Sequence, residues 1–206
     1  KLTKYDPDGA VLWGPVELTG GSTGSNPSLW FDGGAAVDND GNIWCAGHTS
    51  RSTSINGETL PEGNNHKMVL FKVSASDGSI LLTKVSFLAG CVEQDPGCST
   101  RPKGITTDDN NNVIVVGQSL VKTSISSSSL HGESFSGTSI SNDRTFVWVT
   151  KWNTQGVHQF TKALGSQGDI GLGGTNYEAG TKNLKAGNVV VGGSDDVEPN
   201  HIYVLS

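Results

Sequence analysis

The chain of 206 residues repeats an ordered series of short motifs, and this feature constrains its fold more than any other. The segment "GGAAVDNDGNIWCAG" (residues 33–47) aligns without a gap with "KGITTDDNNNVIVVG" (residues 103–117), 70 residues later. The second halves of both match "NLKAGNVVVGG" (residues 183–193). Repeated units of this kind predict a fold in which each copy forms the same structure and packs against its neighbours.

Two further motifs recur in the same order. "LTKYDPDGAVLW" (2–13), "LFKVSASDGSILL" (70–82) and "VTKWNTQGVHQF" (149–160) share an apolar–x–Lys–apolar start, a glycine turn and a second apolar arm. "SINGETL" (54–60) and "SLHGESF" (129–135) form a third matching pair. Each unit therefore contains one hairpin of strands a and b, followed by a second hairpin of strands c and d.

Four short antiparallel strands, repeated about every 70 to 78 residues, are typical of a β-propeller blade. We predict an all-β fold, a propeller-type array of three consecutive four-stranded antiparallel blades within a larger propeller. The predicted repeats span residues 1–66, 67–144 and 145–200, and residues 201–206 form the first strand of a following repeat. Because rings usually need four to eight blades, either further repeats flank this segment or identical chains associate.

Composition agrees with this class and excludes several partners. The 28 glycines and 34% apolar residues favour short strands and turns around a core. With 14 basic against 20 acidic residues and a net charge of −6, the chain has no electrostatic footprint for nucleic acid. No apolar run approaches the roughly 20 residues that span a bilayer, so membrane insertion is not expected.

The sequence contexts of the three cysteines predict different roles for them. Cys91 and Cys98 bracket the polar loop "CVEQDPGC", whose Pro-Gly turn can bring the two sulfurs together. We predict a local disulfide between them and hence an oxidising compartment, with two exposed free thiols as the alternative. Cys45 lies in an apolar strand and is expected to be a small buried hydrophobe.

The stretch "VDNDGNIWCAG" (residues 37–47) raises the question of a calcium site. Its aspartates, Asp38 and Asp40, do not fit the spacing of an EF-hand loop, because glycine falls at position 4 rather than 6. Asparagine and glycine tolerate the positive φ of a tight turn, which explains the shared part of the motif without a metal. A looser calcium site on Asp38 and Asp40, or on Asp108 and Asp109, stays as the minority hypothesis, and no other cofactor is expected.

No residue pattern predicts catalysis. None of the histidines lies at a metal-binding spacing from another, and none accompanies a nucleophile motif: His48, His66, His131, His158 and His201. His48, directly after Gly47, is expected to be solvated rather than a ligand. Among five tryptophans, Trp30 in "NPSLWFDGG" is placed in a loop before strand c. Trp30 and Phe31 are the candidate binding residues, with packing of Phe31 under its own loop as the alternative.

The motifs "VTKWNTQGVHQF", "GGAAVDNDGNIWCAGHTS" and "SINGETL" resemble the repeat of the SBBP-type β-propeller proteins. That family is found in secreted or surface proteins, so the resemblance implies an extracellular or cell-surface location. It further implies a structural or interaction role, with protein chains or surface glycans as partners and no catalytic residues. Two places depart from the family pattern: the loop 86–102 with its cysteine pair, and "GLGGTNYEAGTKNLKAGN" (171–188) in the third unit.

The segment "KYDPDGAVLW" (residues 4–13) also resembles the repeat of quinone-dependent dehydrogenase propellers, in which a closing tryptophan docks successive blades. The tryptophan position reads Trp13, Leu82 and Phe160 in the three units, so one of three fits. A propeller enzyme, either a quinone-dependent oxidoreductase or a hydrolase, is therefore the alternative to a non-catalytic module.

Overall fold

The computed structural model describes eleven parts of the chain: residues 1–16, 20–21, 28–50, 54–55, 58–59, 66–89, 98–121, 127–136, 144–167, 189–192 and 201–204. Across these ranges the backbone forms β-strands, turns and connecting segments, and no helix occurs in them. No helix long and apolar enough to cross a membrane is therefore present in the described part of the chain. The predicted all-β class is confirmed.

Seventeen strands make up these parts. They are β1 (Leu2–Tyr5), β2 (Val11–Val16), β3 (Gly20–Gly21), β4 (Ser28–Val37), β5 (Ile43–Ser50), β6 (Ser54–Ile55), β7 (Glu58–Thr59), β8 (Lys67–Val73), β9 (Ile80–Ser86), β10 (Ser99–Thr107), β11 (Val113–Val121), β12 (Ser127–Leu130), β13 (Glu133–Ser136), β14 (Arg144–Trp152), β15 (His158–Gln167), β16 (Val189–Gly192) and β17 (His201–Val204).

Two four-stranded antiparallel sheets dominate the described part of the chain. The first sheet has the order β4-β5-β8-β9, and the second has the order β10-β11-β14-β15. Both are simple meanders, because each strand pairs with its neighbour in this order and every pairing is antiparallel.

Each sheet joins strands from two successive sequence repeats. In the first sheet, strands c and d (β4 and β5) of the first repeat pair with strands a and b (β8 and β9) of the second. The second sheet pairs β11 with β14 in the same way, and β16 pairs with β17 at the next junction. The sequence unit runs a–b–c–d, whereas the folded sheet runs c–d–a–b. The covalent repeat and the hydrogen-bonded sheet are thus offset by two strands.

The a–b hairpins share one register. Lys4 pairs with Trp13, Lys72 with Leu82, and Lys151 with Phe160, and a register irregularity follows the lysine in each hairpin. These pairings support the alignment of the three hairpins that the sequence motifs indicate. They also give each lysine the same place in its strand.

Four turns between paired strands have the same hydrogen-bond pattern. The side chain of Asp6, Asp38, Asp108 or Asn153 accepts hydrogen bonds from the backbone N–H groups two and four residues later, at 2.7 to 3.1 Å. The residue three positions after it has a positive φ, and it is Gly9, Gly41, Asn111 or Gly156 respectively. Asparagine and glycine adopt this conformation with the least strain, so their recurrence is explained locally.

The main apolar core is formed by the two sheets together. Trp44 and Met68 of the first sheet and Trp148 of the second are completely buried in one cluster. Gly117 makes this packing possible, because a Cβ atom there would collide with the indole ring of Trp148. The indole N–H of Trp148 donates to Ser119 Oγ at 2.9 Å, which satisfies the buried polar atom.

Successive hairpins pack against one another through equivalent contacts. A Cβ atom at Gly78, in the β8–β9 turn, would lie 2.8 Å from the indole of Trp13 on β2. At the equivalent Gly156, in the β14–β15 turn, it would lie 2.5 Å from Leu82 on β9. Both glycines therefore allow the hairpin before them in the chain to approach closely.

Several predicted features fall outside the described residues. Cys91 and strand c of the third repeat are among them, so the Cys91–Cys98 disulfide stays a prediction, although Cys98 itself is buried. Within the Ser-rich segment, β12 and β13 form the small hairpin expected at its middle. Leu130 of that hairpin is buried in the main core.

Candidate functional site

The bulge of β4 sets the position of Trp30. The β4–β5 register is regular from Ser28 to Trp30 and resumes at Gly34, so the backbone bulges between Trp30 and Gly34. The bulge lies tightly over β5, because a Cβ atom at Gly47 would overlap the carbonyl oxygen of Trp30. Trp30 therefore lies in a strand, not in the loop that the sequence predicts, and its side chain is 41% exposed.

Trp30 covers two buried or half-buried imidazoles. Trp30 and His48 are directly opposite in the β4–β5 register, and their rings stack with centroids 4.8 Å apart and planes 20° apart. His66 lies with its ring centroid 5.6 Å from that of Trp30 and 4.9 Å from that of His48. The backbone carbonyl of His66 accepts a 2.9 Å hydrogen bond from the N–H of Thr100, which ties this point to the second sheet.

Charged side chains surround the three rings. Asp32 Oδ2 lies 3.5 Å from His48 Nδ1 and 3.2 Å from the ammonium nitrogen of Lys103 on β10. Arg101, also on β10, lies close enough to act on both imidazoles electrostatically. We call the six residues Trp30, Asp32, His48, His66, Arg101 and Lys103 the Trp30 cluster.

Burial keeps both imidazoles of the Trp30 cluster neutral at physiological pH. Desolvation lowers the pKa of His48 to about 4, although the Asp32 carboxylate acts in the opposite direction. Desolvation and the charge of Arg101 lower the pKa of His66 to about 4. A neutral imidazole has one donor and one acceptor nitrogen, and the Nδ1 atoms of both rings are buried without a hydrogen-bond partner in the described structure.

His48 was expected to be solvated, and this expectation is wrong. Its side chain is buried, since Trp30 lies across one face of the ring. Phe31, the other predicted contact residue, packs with the second apolar cluster, and its ring centroid lies 6.1 Å from that of Phe71. The structure thus separates Trp30 from Phe31, and only Trp30 is an exposed aromatic at this place.

Sequence reasoning missed Asp32, His66, Arg101 and Lys103. A usable signal was present, because the gapless match at a spacing of 70 aligns the second half of β4 with the second half of β10. If the first strands of the two sheets, β4 and β10, lie side by side, residues near 32 and near 102 become neighbours. Thr107 Oγ1 donating to the carbonyl oxygen of Val37 at 2.9 Å shows that β4 and β10 are adjacent.

The candidate calcium residues have structural partners. Asp38 is buried, and its Oδ2 atom lies 3.1 Å from the ammonium nitrogen of Lys72 and 3.2 Å from the indole nitrogen of Trp44. Burial acts to raise the pKa of Asp38, but the hydrogen bonds from Lys72 and Asn42 hold it below its ordinary value. Asp40 is exposed in the turn. In the described part of the chain, no group of three or more His, Cys, Asp or Glu residues is arranged to bind a metal.

Asp108 repeats the arrangement of Asp38 in the second sheet. Its Oδ2 atom lies 2.7 Å from the ammonium nitrogen of Lys151, and its Oδ1 atom accepts the turn N–H groups. Asp109 is exposed. The aspartate that begins each of these two turns therefore also balances the charge of a lysine on strand a.

A second group of aromatic rings is structural. His131 lies between His158, at 4.3 Å between ring centroids, and Trp152, at 4.7 Å. His131 Nε2 and Ser86 Oγ are 2.7 Å apart, which resembles a nucleophile and its base. Ser86 is only 1% exposed, however, so a substrate has no access to its hydroxyl. These contacts attach the β12–β13 hairpin to both sheets.

Comparison with known proteins does not assign this chain to a family. Neither the protein-family models nor the curated protein sequences match this chain. The assignment of a role therefore depends on the repeat, the two sheets and the Trp30 cluster.

Proposed function

We propose that this chain is a non-catalytic extracellular structural or interaction module built from β-propeller-type repeats, as part of a larger secreted, surface or filament protein. Its partners are protein chains or surface glycans, and the Trp30 cluster is the contact site. The observation that carries the proposal is that Trp30 is 41% exposed while its indole stacks on the buried imidazole of His48. Exposed tryptophans on rigid elements are common binding hot spots.

The relation between the two sheets supports the blade arrangement. Both sheets have the order c–d–a–b, and equivalent glycine turns allow equivalent hairpin contacts. Strands β4 and β10, the first strands of the two sheets, are adjacent through the bond from Thr107 to Val37. A constant relation between successive sheets is what a propeller-type array requires.

The Trp30 cluster is suited to binding rather than to covalent chemistry. The indole offers an apolar face, and the Trp30 cluster also contains one charge of each sign, Asp32 and Lys103, which are 3.2 Å apart. A sugar presents C–H groups that pack on such a face and hydroxyl groups that hydrogen-bond to charged neighbours. A protein partner fits the same surface with an aromatic or arginine side chain.

The contact role of Trp30 is tested with two probes: an array of immobilised neutral and acidic oligosaccharides, and a phage library of random peptides. We expect binding in at least one of them, reduced about tenfold or more by Trp30→Ala. Leu81→Ala is the matched control, because Leu81 is an exposed apolar residue of β9 outside the cluster. Equal binding by the wild type and Trp30→Ala contradicts the proposal.

The enzyme alternative depends on Trp13. Its indole N–H donates to the carbonyl oxygen of Ala75 at 2.9 Å, which docks β2 on the next hairpin as in the quinone-dependent repeat. Leu82 makes the equivalent approach to Gly156 without a hydrogen bond. Incubation with pyrroloquinoline quinone and calcium, followed by desalting, distinguishes the two functions. Retained quinone absorbance supports the enzyme, whereas its complete loss supports the non-catalytic module.

A further inference from the structure

Strand β1 differs from its equivalents in one respect. Strands β8 and β14 each pair on one edge with strand b of the same hairpin and on the other edge with strand d of the preceding repeat. Strand β17, at the next equivalent position, also pairs with a strand d, β16. Within the described residues β1 pairs with β2 alone, so its second edge offers unpaired backbone groups.

Lys4 of β1 also differs from the equivalent lysines of β8 and β14. Lys72 and Lys151, at the equivalent positions of β8 and β14, form ion pairs with the turn aspartates Asp38 and Asp108 at 3.1 and 2.7 Å. Lys4 instead donates to the carbonyl oxygen of Ala75 at 2.8 Å. No carboxylate of the described residues forms an ion pair with it.

The residue after the lysine is exposed in β1 and buried in β8 and β14. Tyr5, directly after Lys4, is 58% exposed, whereas Val73 and Trp152 at the equivalent positions are 0% and 4% exposed. In the two complete sheets, strand a lies between strands d and b, and these two residues belong to the buried cores. Tyr5 is a large aromatic residue at a position whose equivalents belong to the core.

We propose that the open edge of β1 is a docking site for a c–d hairpin of the same repeat, supplied by a preceding repeat of the same polypeptide. In both complete sheets the c–d pair comes from the repeat that precedes the a–b pair, which is the reason for this source. The turn aspartate of the docked hairpin forms an ion pair with Lys4. In the observed registers, the residue opposite the lysine comes six positions after that aspartate, as with Trp44 after Asp38 and Ile114 after Asp108.

The test supplies this hairpin. A copy of residues 28–68 is fused directly before Lys1, so that the copied Asp38 stands as far from Lys4 as Asp38 stands from Lys72. Hydrogen exchange of the peptide covering β1 and the thermal midpoint are compared with those of the unextended chain. We expect exchange of the β1 amides to slow about tenfold or more, together with a higher midpoint, because the strand gains a second ladder of hydrogen bonds.

Two variants of the extended chain make the test specific. Trp44→Pro with Ala46→Pro in the added copy removes ladder donors, and it should restore fast exchange in β1. Lys4→Met should remove part of the gain in midpoint that the extension gives. Unchanged β1 exchange on extension, or an equal gain with the proline copy, overturns the proposal.

A third arm examines the source of the hairpin. If the unextended chain already protects β1 in proportion to a concentration-dependent dimer, a second copy is the occupant, and the proposed source is overturned. Hydrogen exchange of β1 and the thermal midpoint do not depend on binding through Trp30. If the docking proposal fails, the proposed contact site at Trp30 is therefore neither supported nor contradicted.

Discussion

The ammonium nitrogen of Lys72 lies 3.1 Å from Asp38 Oδ2, and this ion pair joins strand a of one repeat to the c–d turn of the repeat before it. Both side chains are buried. Lys151 and Asp108 form the equivalent pair at 2.7 Å. The same ion pair thus links neighbouring repeats at the equivalent junction of both sheets.

Removing one partner of this ion pair should destabilise the protein strongly. Asp38→Asn keeps an oxygen for the turn N–H groups, as Asn153 does in its own turn, but leaves the Lys72 charge buried and unpaired. We expect a loss of about 3 kcal/mol in the free energy of unfolding, measured by urea denaturation. The double variant with Lys72→Met should recover part of that loss.

The pair Lys162–Glu133, whose lysine side chain is 67% exposed, provides the control for this experiment. Lys162→Met should change stability by no more than about 0.5 kcal/mol, because exposed ion pairs contribute little. If the double variant loses as much free energy of unfolding as Asp38→Asn and Lys72→Met lose together, the two buried partners are not coupled, and the prediction is contradicted.

The left-handed turn position should accept asparagine and reject a β-branched residue. Gly41 has a φ of 83°, and Asn111 occupies the matching position with a φ of 61°. A side chain at Gly41 meets only ordinary contact with Ala75, so backbone conformation decides the effect. We expect Gly41→Asn to lower stability by less than about 0.5 kcal/mol and Gly41→Val by about 1–2 kcal/mol. Similar losses in the two variants would show that space, not φ, is limiting.

Stability should fall between pH 6.5 and about 4 because of the buried imidazoles. Burial lowers the pKa of His48 and of His66 to about 4, whereas the unfolded chain takes up protons near pH 6.5. The unfolded state therefore binds more protons in this window, and folding weakens as the pH falls. For His48 alone the loss is at most about 3 kcal/mol.

Urea denaturation at pH 7 and pH 5 measures this dependence. His48→Gln should reduce the difference between the two values, since glutamine does not titrate and Gln118 fills the matching position in the second sheet. At pH 5 the carboxylates of Asp38 and Asp108 remain ionised, because the pKa of each is lowered from 3.8. An unchanged pH difference in His48→Gln would contradict the assignment.

Thiol titration tests the predicted disulfide. Cys45 is a buried free thiol, and burial raises its pKa to about 11, so it should react slowly in the native protein. If Cys91 and Cys98 are paired, one thiol should react after denaturation without reductant and three after reduction. Three reactive thiols in the denatured, unreduced chain would contradict the disulfide.

The turns and strands were predictable because their signals are local. Asx residues and glycines at the bends act over four or five residues, and apolar runs mark the strands between them. The matching motifs also identified the lysine of strand a in each unit. Propensity over such short distances does not depend on which strand becomes the neighbour.

The site was only partly predictable. Trp30 stands out as an aromatic residue in a polar segment, but its stacking on His48 depends on a β-bulge that no residue pattern predicts. The burial of His48 follows from that stacking. The pairing of Asp32 with Lys103 needs two strands from different repeats to lie side by side.

By itself, the sequence determined that the chain folds into repeated antiparallel hairpins, with asparagine, aspartate and glycine at the bends. Only the tertiary structure decided that each sheet takes two strands from one repeat and two from the next. It also gave Asp38 its second role as the partner of Lys72. The physical reason is that turn and strand preferences are local, whereas strand partners are selected by burying both faces and pairing both edges across distant parts of the chain.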